Sequence, residues 1–215
     1  VGVSSKIKNK AIFLDRDGVL NRAKVILNKP YPPSNMEEME ILPGVYEGIQ
    51  LLKHAGFKLI VISNQPDVSR GTLKIESVNE INNSIIEQLK IDEVICCFHD
   101  DIDNCDCRKP KTGMILEALK KWDIDLSLSY LIGDRWRDIE TAKKALKSND
   151  FDLAILDIVI NGVTIFNALK EVSLEGKQLL FITGNQNFAI KAFEFYAVDY
   201  IMKPYSNKRL KESIE

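Results

Sequence analysis

Two carboxylates one residue apart, Asp15-Arg16-Asp17, followed by Gly18, close a short apolar run at Ala11 to Leu14. At a strand end such a pair places one carboxylate to attack and the other to shuttle a proton, while the glycine makes the turn tight. Taken alone, Asp-x-Asp suits a solvated turn as well. Three later segments supply the rest of a phosphoryl-transfer kit. Ser63-Asn64-Gln65 offers a hydroxyl and amides to a phosphate or a developing oxyanion. Arg108-Lys109-Pro110 offers two cations to a dianion. Gly133-Asp134, with Asp138 following, offers carboxylates to a hard cation such as Mg2+.

A second cluster has different chemistry. All four cysteines, Cys96, Cys97, Cys105 and Cys107, fall in one short stretch, where disulfides would staple almost nothing. Cys97-Phe98-His99, five intervening residues and Cys105-Asp106-Cys107 bring together three thiols and an imidazole, a set suited to tetrahedral Zn2+. Unliganded reduced thiols are the alternative. Cys96 is left over and expected in the core, and His54, near a helix end, needs no functional role.

These residues need a scaffold that brings strand ends together. Short apolar runs at Ala11 to Leu14, Leu59 to Ile62 and Tyr130 to Ile132 read as buried parallel strands. Helical spacing recurs at Val45 to Ala55, Ile75 to Leu89, Thr112 to Trp122 and Asp138 to Leu146. Strand and helix alternate again at Leu153 to Leu156, Val163 to Val172 (helix), Leu179 to Ile182, Ala189 to Tyr196, Tyr200 to Met202 and from Lys208 on. The fold class is therefore α/β with a parallel sheet, in which ligands bind at the carboxyl ends of the strands.

The 215 residues carry 29 Lys+Arg against 31 Asp+Glu, a net charge of −2, with 45% hydrophobic residues. Without a block of positive charge, a nucleic-acid or membrane-surface binder is not expected. No apolar run approaches the roughly 20 residues of a membrane span. The polar, basic start, Val1 to Lys10, lacks the apolar stretch of a signal peptide, so a cytoplasmic location is expected.

Asp15-Arg16-Asp17-Gly18-Val19-Leu20-Asn21, Ser63-Asn64-Gln65, Cys105-Asp106-Cys107-Arg108-Lys109-Pro110 and Gly133-Asp134-Arg135 resemble the haloacid dehalogenase superfamily of phosphatases. The closer resemblance is to its histidinol-phosphate and heptose-bisphosphate phosphatase branch, over about residues 10–148. It implies a Rossmann-like parallel sheet and a phosphatase acting on a small phosphorylated metabolite, with heptose bisphosphate expected before histidinol phosphate. Asp15 would attack phosphorus and Asp17 would protonate the leaving oxygen, then activate water. Ser63 and Lys109 would hold the transferring oxygens, and Arg108, Arg135 and Asn64 would face substrate. Mg2+ would lie among the Asp15 carboxylate, the Asp17 carbonyl and Asp134. A structural Zn2+ on Cys97, His99, Cys105 and Cys107 would pin the loop that presents Arg108 and Lys109. The stretch Ala23 to Asn35, with Tyr31 among its prolines, lies where the family places a loop near the active site.

Residues 149–215 resemble something else, the second half of a flavodoxin-like response-regulator receiver domain, through Phe151 to Asp157, Phe181-Ile182-Thr183-Gly184 and Ala197 to Pro204. In a receiver Asp157 would accept phosphate, with Thr183 and Lys203 contacting it. The acidic pair that binds a receiver's Mg2+ is missing upstream, so the tail is expected to be structural, with a protein partner as its other use. The expected arrangement is one continuous sheet in the order 3-2-1-4-5-6-7, built from a phosphatase domain over 1–148 and the receiver-like units of 149–215.

Overall fold

The central strands of the first sheet are apolar on both faces, and the structure shows why. In β1 (Lys10–Leu14), Ala11 and Phe13 point to one side and Ile12 and Leu14 to the other. The strand is covered on both sides, so alternation gives way to a continuous apolar run. The computed structural model describes residues 8–26, 29–133, 135–145, 153–156, 158–160, 163–164, 166–169, 178–184 and 186–214.

A small antiparallel hairpin, β2 (Lys24–Ile26) and β3 (Lys29–Tyr31), follows β1. The chain continues through α1 (Val45–His54), β4 (Phe57–Asn64), α2 (Ile75–Leu89), β5 (Glu93–Cys97), α3 (Gly113–Lys121), β6 (Tyr130–Ile132) and α4 (Trp136–Ala145). The strands form a parallel sheet in the order β5-β4-β1-β6. In β4, Ile60 and Ile62 join Met114, Ile115 and Ala118 of α3 on one face, while Leu59 and Val61 join Ile49 of α1 and Ile81, Ile85 and Leu89 of α2 on the other. Each such buried Ile, Leu, Val or Met side chain contributes about 1.5–3 kcal/mol.

The second part comprises β7 (Leu153–Leu156), the hairpin β8 (Val159–Ile160) and β9 (Val163–Thr164), α5 (Phe166–Leu169), β10 (Gln178–Thr183), α6 (Ala189–Glu194), β11 (Asp199–Met202) and α7 (Asn207–Ile214). Its parallel sheet runs β11-β10-β7. Leu180, Ile182 and Ile201 form its core with Leu210, and Phe166 packs its ring against Phe181, Phe188 and Phe195. The chain divides into two units, Val1–Ser148 and Asn149–Glu215.

Several expectations need correction. Within each sheet the strands follow the expected succession, β5-β4-β1-β6 in the first unit and β11-β10-β7 in the second. Strand β6 has only three residues and leaves Tyr130 and Ile132 exposed, features of an outer strand. The helix expected from Val163 begins as strand β9, because Val163 and Thr164 pair with Ile160 and Val159. Strand β5 and the β2-β3 hairpin are not apparent in the sequence, the first hidden among cysteines and the second by Pro30.

Candidate active site

Strand β1 ends at Leu14, and the next residue, Asp15, is anchored by its N–H donating to the carbonyl of Ile132 at the end of β6 (2.8 Å). The chain then turns sharply: Leu20 N–H donates to Arg16 O (2.9 Å), Gly18 N–H to Asn21 O (2.8 Å), and Gly18 adopts φ 101°, open to glycine and strained for other residues. This turn holds both carboxylates of the motif out of solvent, each residue 5% exposed.

Lys109 meets them from the loop after the cysteines. Its Nζ donates to Ile62 O (2.9 Å) and lies 2.9 Å from Asp15 Oδ1 and 2.5 Å from Asp138 Oδ1. An ammonium has three donors, and three acceptors are in place. Burial works against its charge, but Asp15 and Asp138 outweigh burial and hold the Lys109 pKa above its ordinary value. Burial and the nearby Asp15 carboxylate push Asp138 up to about 6, with Lys109 acting in the opposite sense. Asp138 approaches so closely because residue 133 is glycine: a Cβ there would lie 2.3 Å from the Asp138 side chain.

Asp17 turns its carboxylate into a polar grip. Oδ2 accepts from Gln65 Nε2 (2.6 Å) and Arg16 Nη2 (3.1 Å), and Oδ1 accepts from Asn21 Nδ2 (2.9 Å) and Arg16 Nε (3.2 Å). The Arg16 guanidinium is fully buried and also donates to Asn82 Oδ1 on α2 (2.8 Å). Gln65 Nε2 reaches Ser63 Oγ as well (2.8 Å). Neither Arg16 nor Asn82 was picked out from sequence.

The cleft is lined by Asp15, Asp17, Ser63, Asn64, Arg108, Lys109, Arg135 and Asp138, so eight residues singled out from the sequence share one site. Tyr31 and Pro32 of the expected loop also line it, as do Arg70 and Arg137, which the sequence did not mark. Asp134, the expected third Mg2+ ligand, lies outside the described residues.

Two of the cleft-lining side chains expected to face substrate, Asn64 and Arg108, also have protein partners. Asn64 accepts from Lys109 N–H (2.9 Å) and donates to Lys109 O (3.0 Å), clasping the lysine's backbone at both ends. Arg108 donates through Nε to Asp101 Oδ1 (2.7 Å) and through Nη1 to His99 O (3.2 Å). The Arg70 guanidinium pairs with Asp100 in a two-point fork (2.6 and 2.7 Å), tying the loop after β4 to the loop between His99 and Cys105.

Cys97, His99, Cys105 and Cys107 converge as expected, their ligand atoms all within 4.8 Å of one another. The sulfurs are 3.1 to 3.6 Å apart and His99 Nδ1 lies 3.3 Å from Cys107 Sγ. Zn–S bonds of about 2.3 Å in a tetrahedron put sulfurs roughly 3.7 Å apart, so a small expansion accommodates the ion. Burial and the neighbouring Cys107 thiol push the Cys97 thiol well above its ordinary value, and burial raises Cys107. A bound cation would reverse that preference by stabilising thiolate. Cys96 Sγ faces away, accepting from Asn82 Nδ2 at 3.3 Å.

In the second unit Thr183 is buried at the end of β10, and Lys203 N–H donates to its carbonyl (2.8 Å), while the Lys203 side chain is exposed. Asp157 lies outside the described residues, so the expected receiver-like triad is placed only in part. No helix among the described residues is long and apolar enough to cross a membrane.

The family model for haloacid dehalogenase-like hydrolases matches residues 21–145, and that for the response regulator receiver domain matches residues 115–215. A D-glycero-beta-D-manno-heptose-1,7-bisphosphate 7-phosphatase of Helicobacter pylori is 34% identical over 148 residues, covering 66% of this chain and 82% of that protein. Its counterpart in Rhodopseudomonas palustris is 32% identical over 175 residues, covering 73% and 94%. Among solved structures, a D,D-heptose 1,7-bisphosphate phosphatase from B. bronchiseptica, complexed with magnesium and phosphate, superposes with a TM-score of 0.60 at 26% identity, covering 87% of this chain and 98% of that one.

Proposed function

The chain belongs to the haloacid dehalogenase-like hydrolase family and is a phosphoric monoester hydrolase, and on that premise we propose that it is Mg2+-dependent and releases phosphate from a heptose 1,7-bisphosphate. The observation that carries this reading is the buried Asp15–Lys109 pair at the floor of a cleft rimmed by arginines.

An Asp15 oxygen attacks phosphorus as the bond to the sugar oxygen breaks, and Asp17 gives that oxygen its proton. Water then attacks the phosphoaspartate, passing a proton to Asp17, and phosphate leaves with Asp15 regenerated. Lys109 and Ser63 hold the transferring oxygens. Asp17 must leave the grip of Arg16, Asn21 and Gln65 to take part, since both its oxygens accept from them. The Asp15 carboxylate and Asp17 main-chain carbonyl are hard oxygen donors of the kind Mg2+ takes, with Asp134 as the third. Bound there, the ion would screen the repulsion between a carboxylate and a dianion. Zn2+ on the cysteine loop has a structural role, because protein fills all four positions.

The rim favours a bisphosphate over histidinol phosphate. Arg70, Arg108, Arg135 and Arg137 all line the cleft, which welcomes a second phosphate and repels the ammonium of an amino alcohol. The thiolate ligands need a reducing compartment, which supports the cytoplasm. We read the receiver-like tail as structural, with partner binding as its alternative. The test is hydrolysis of p-nitrophenyl phosphate with Mg2+, then of heptose 1,7-bisphosphate and histidinol phosphate. Activity lost in Asp15→Asn and highest on the bisphosphate is expected, and an inactive wild type would defeat the reading.

A further inference from the structure

Asp101, on the loop between His99 and Cys105, is shared by two arginines from different parts of the chain. Arg108 reaches its Oδ1 at 2.7 Å, and Arg137, in the first turn of α4, reaches its Oδ2 at 3.4 Å. Arg108 and Arg137 line the cleft, whereas Asp101 stands behind them with a side chain 60% exposed. Burial disfavours the Arg137 cation, Asp101 gives it the strongest support, and Arg108, Arg135 and Arg70 add repulsion.

Asp101 divides one carboxylate between two guanidinium groups, and Asp100 Oδ1 adds a longer contact to Arg108 (3.8 Å); each fork holds a phosphate or carboxylate at two points, so a dianion is the better match. A dianion arriving from the cleft carries more charge and more acceptor oxygens than Asp101 does. We propose that Arg137 is a specificity-determining residue that works with Arg108, and that the substrate's second anionic group takes both guanidinium groups in competition with Asp101. This rests on the phosphatase reading above and adds to it the residues that tell a bisphosphate from a monophosphate. Asp101 keeps the two cations apart and oriented. It also sets a threshold, because a ligand without a second anion has nothing to offer in exchange.

The full-length, Mg2+-loaded protein is assayed with p-nitrophenyl phosphate, and fructose 6-phosphate and fructose 1,6-bisphosphate are compared as competitors. They share a sugar and differ in one phosphate, so the ratio of their inhibition constants reads the second anion and cancels any general loss of activity. Wild type is expected to favour the bisphosphate by roughly 10-fold or more, the scale of a charge-assisted two-point contact. Arg137→Leu should bring the ratio close to one. Arg137→Lys, which keeps the charge and stem but not the planar fork, should reduce it part-way and serves if the leucine variant does not fold. Asp101→Asn should move the ratio several-fold in the other direction. A ratio unchanged in the Arg137 variants, or unchanged or lowered in Asp101→Asn, overturns the inference. Failure of the wild type to hydrolyse p-nitrophenyl phosphate would instead sink the phosphatase reading and be seen before any ratio is measured.

Discussion

Lys109 Nζ lies 2.9 Å from Asp15 Oδ1, an ion pair whose side chains are 3% and 7% exposed. The pair is held from three sides: Ile62 O accepts from the ammonium, Asp138 shares it, and Asn64 grips the lysine's backbone. In Lys109→Met, two buried carboxylates would face each other without their cation. Removing one partner of a buried ion pair costs about 3–5 kcal/mol. Thermal denaturation should show a loss on that scale, with turnover of p-nitrophenyl phosphate down roughly 100-fold or more. Asp15→Asn should abolish turnover with a far smaller stability loss, since Lys109 keeps Asp138. Equal melting of Lys109→Met and wild type would contradict the pairing.

Asn64 separates two ways of serving a site. Its amide engages the Lys109 backbone, so Asn64→Ala should act through the placement of that lysine. We expect kcat to fall about 10-fold while KM for p-nitrophenyl phosphate stays within about twofold, as for a small misplacement of a catalytic group. A raised KM at unchanged kcat would return Asn64 to direct substrate contact.

The cysteine cluster distinguishes its members. Protein purified without chelator should carry about one zinc per chain, lost in Cys107→Ser and retained in Cys96→Ser, because Cys96 Sγ faces Asn82. Loss of the metal should lower the melting temperature and reduce activity together, since the same loop carries Arg108 and Lys109. Metal analysis and melting curves of the two variants check this. Equal zinc in both variants would refute the assignment.

Acid should act on the second unit through Asp199. Hydrogen bonds from Arg209, with help from Ser213 and Tyr200 N–H, hold the Asp199 carboxyl well below the usual carboxylate range. A depressed folded-state value means that the unfolded state binds the proton more readily. The contribution is therefore fully present above about pH 4, the unfolded value, and is lost as pH falls further. Hydrogen exchange across α7 should be faster in Asp199→Asn than in wild type at pH 6, and the difference should narrow toward pH 3. A difference that grows with acid would reverse the assignment.

The parts of this protein that could be read from sequence were those in which one short segment carries the signal. Ala11 to Leu14 and Leu59 to Ile62 were legible because a strand buried on both faces needs no partner to look apolar. Asp15, Ser63, Lys109 and the cysteine loop were legible because their order fits a known chemistry. What escaped depends on distant partners. Arg70 meets Asp100 across 30 positions and Asn64 meets Lys109 across 45. Neither separation leaves a trace in a local pattern. Arg16, between two acids, looks like a surface residue and is fully buried because Asn82 on α2 comes to meet it.

Arg108 and Lys109 are consecutive, yet they extend to different places, one toward Asp101 and His99 and the other to the carbonyl of Ile62 and Asp15. The lysine's backbone is clasped by Asn64 and the arginine's loop is drawn together at Cys97, His99, Cys105 and Cys107, so both side chains start from one anchored stretch of chain. Any shift of that stretch would move both cations together, like the two prongs of one plug.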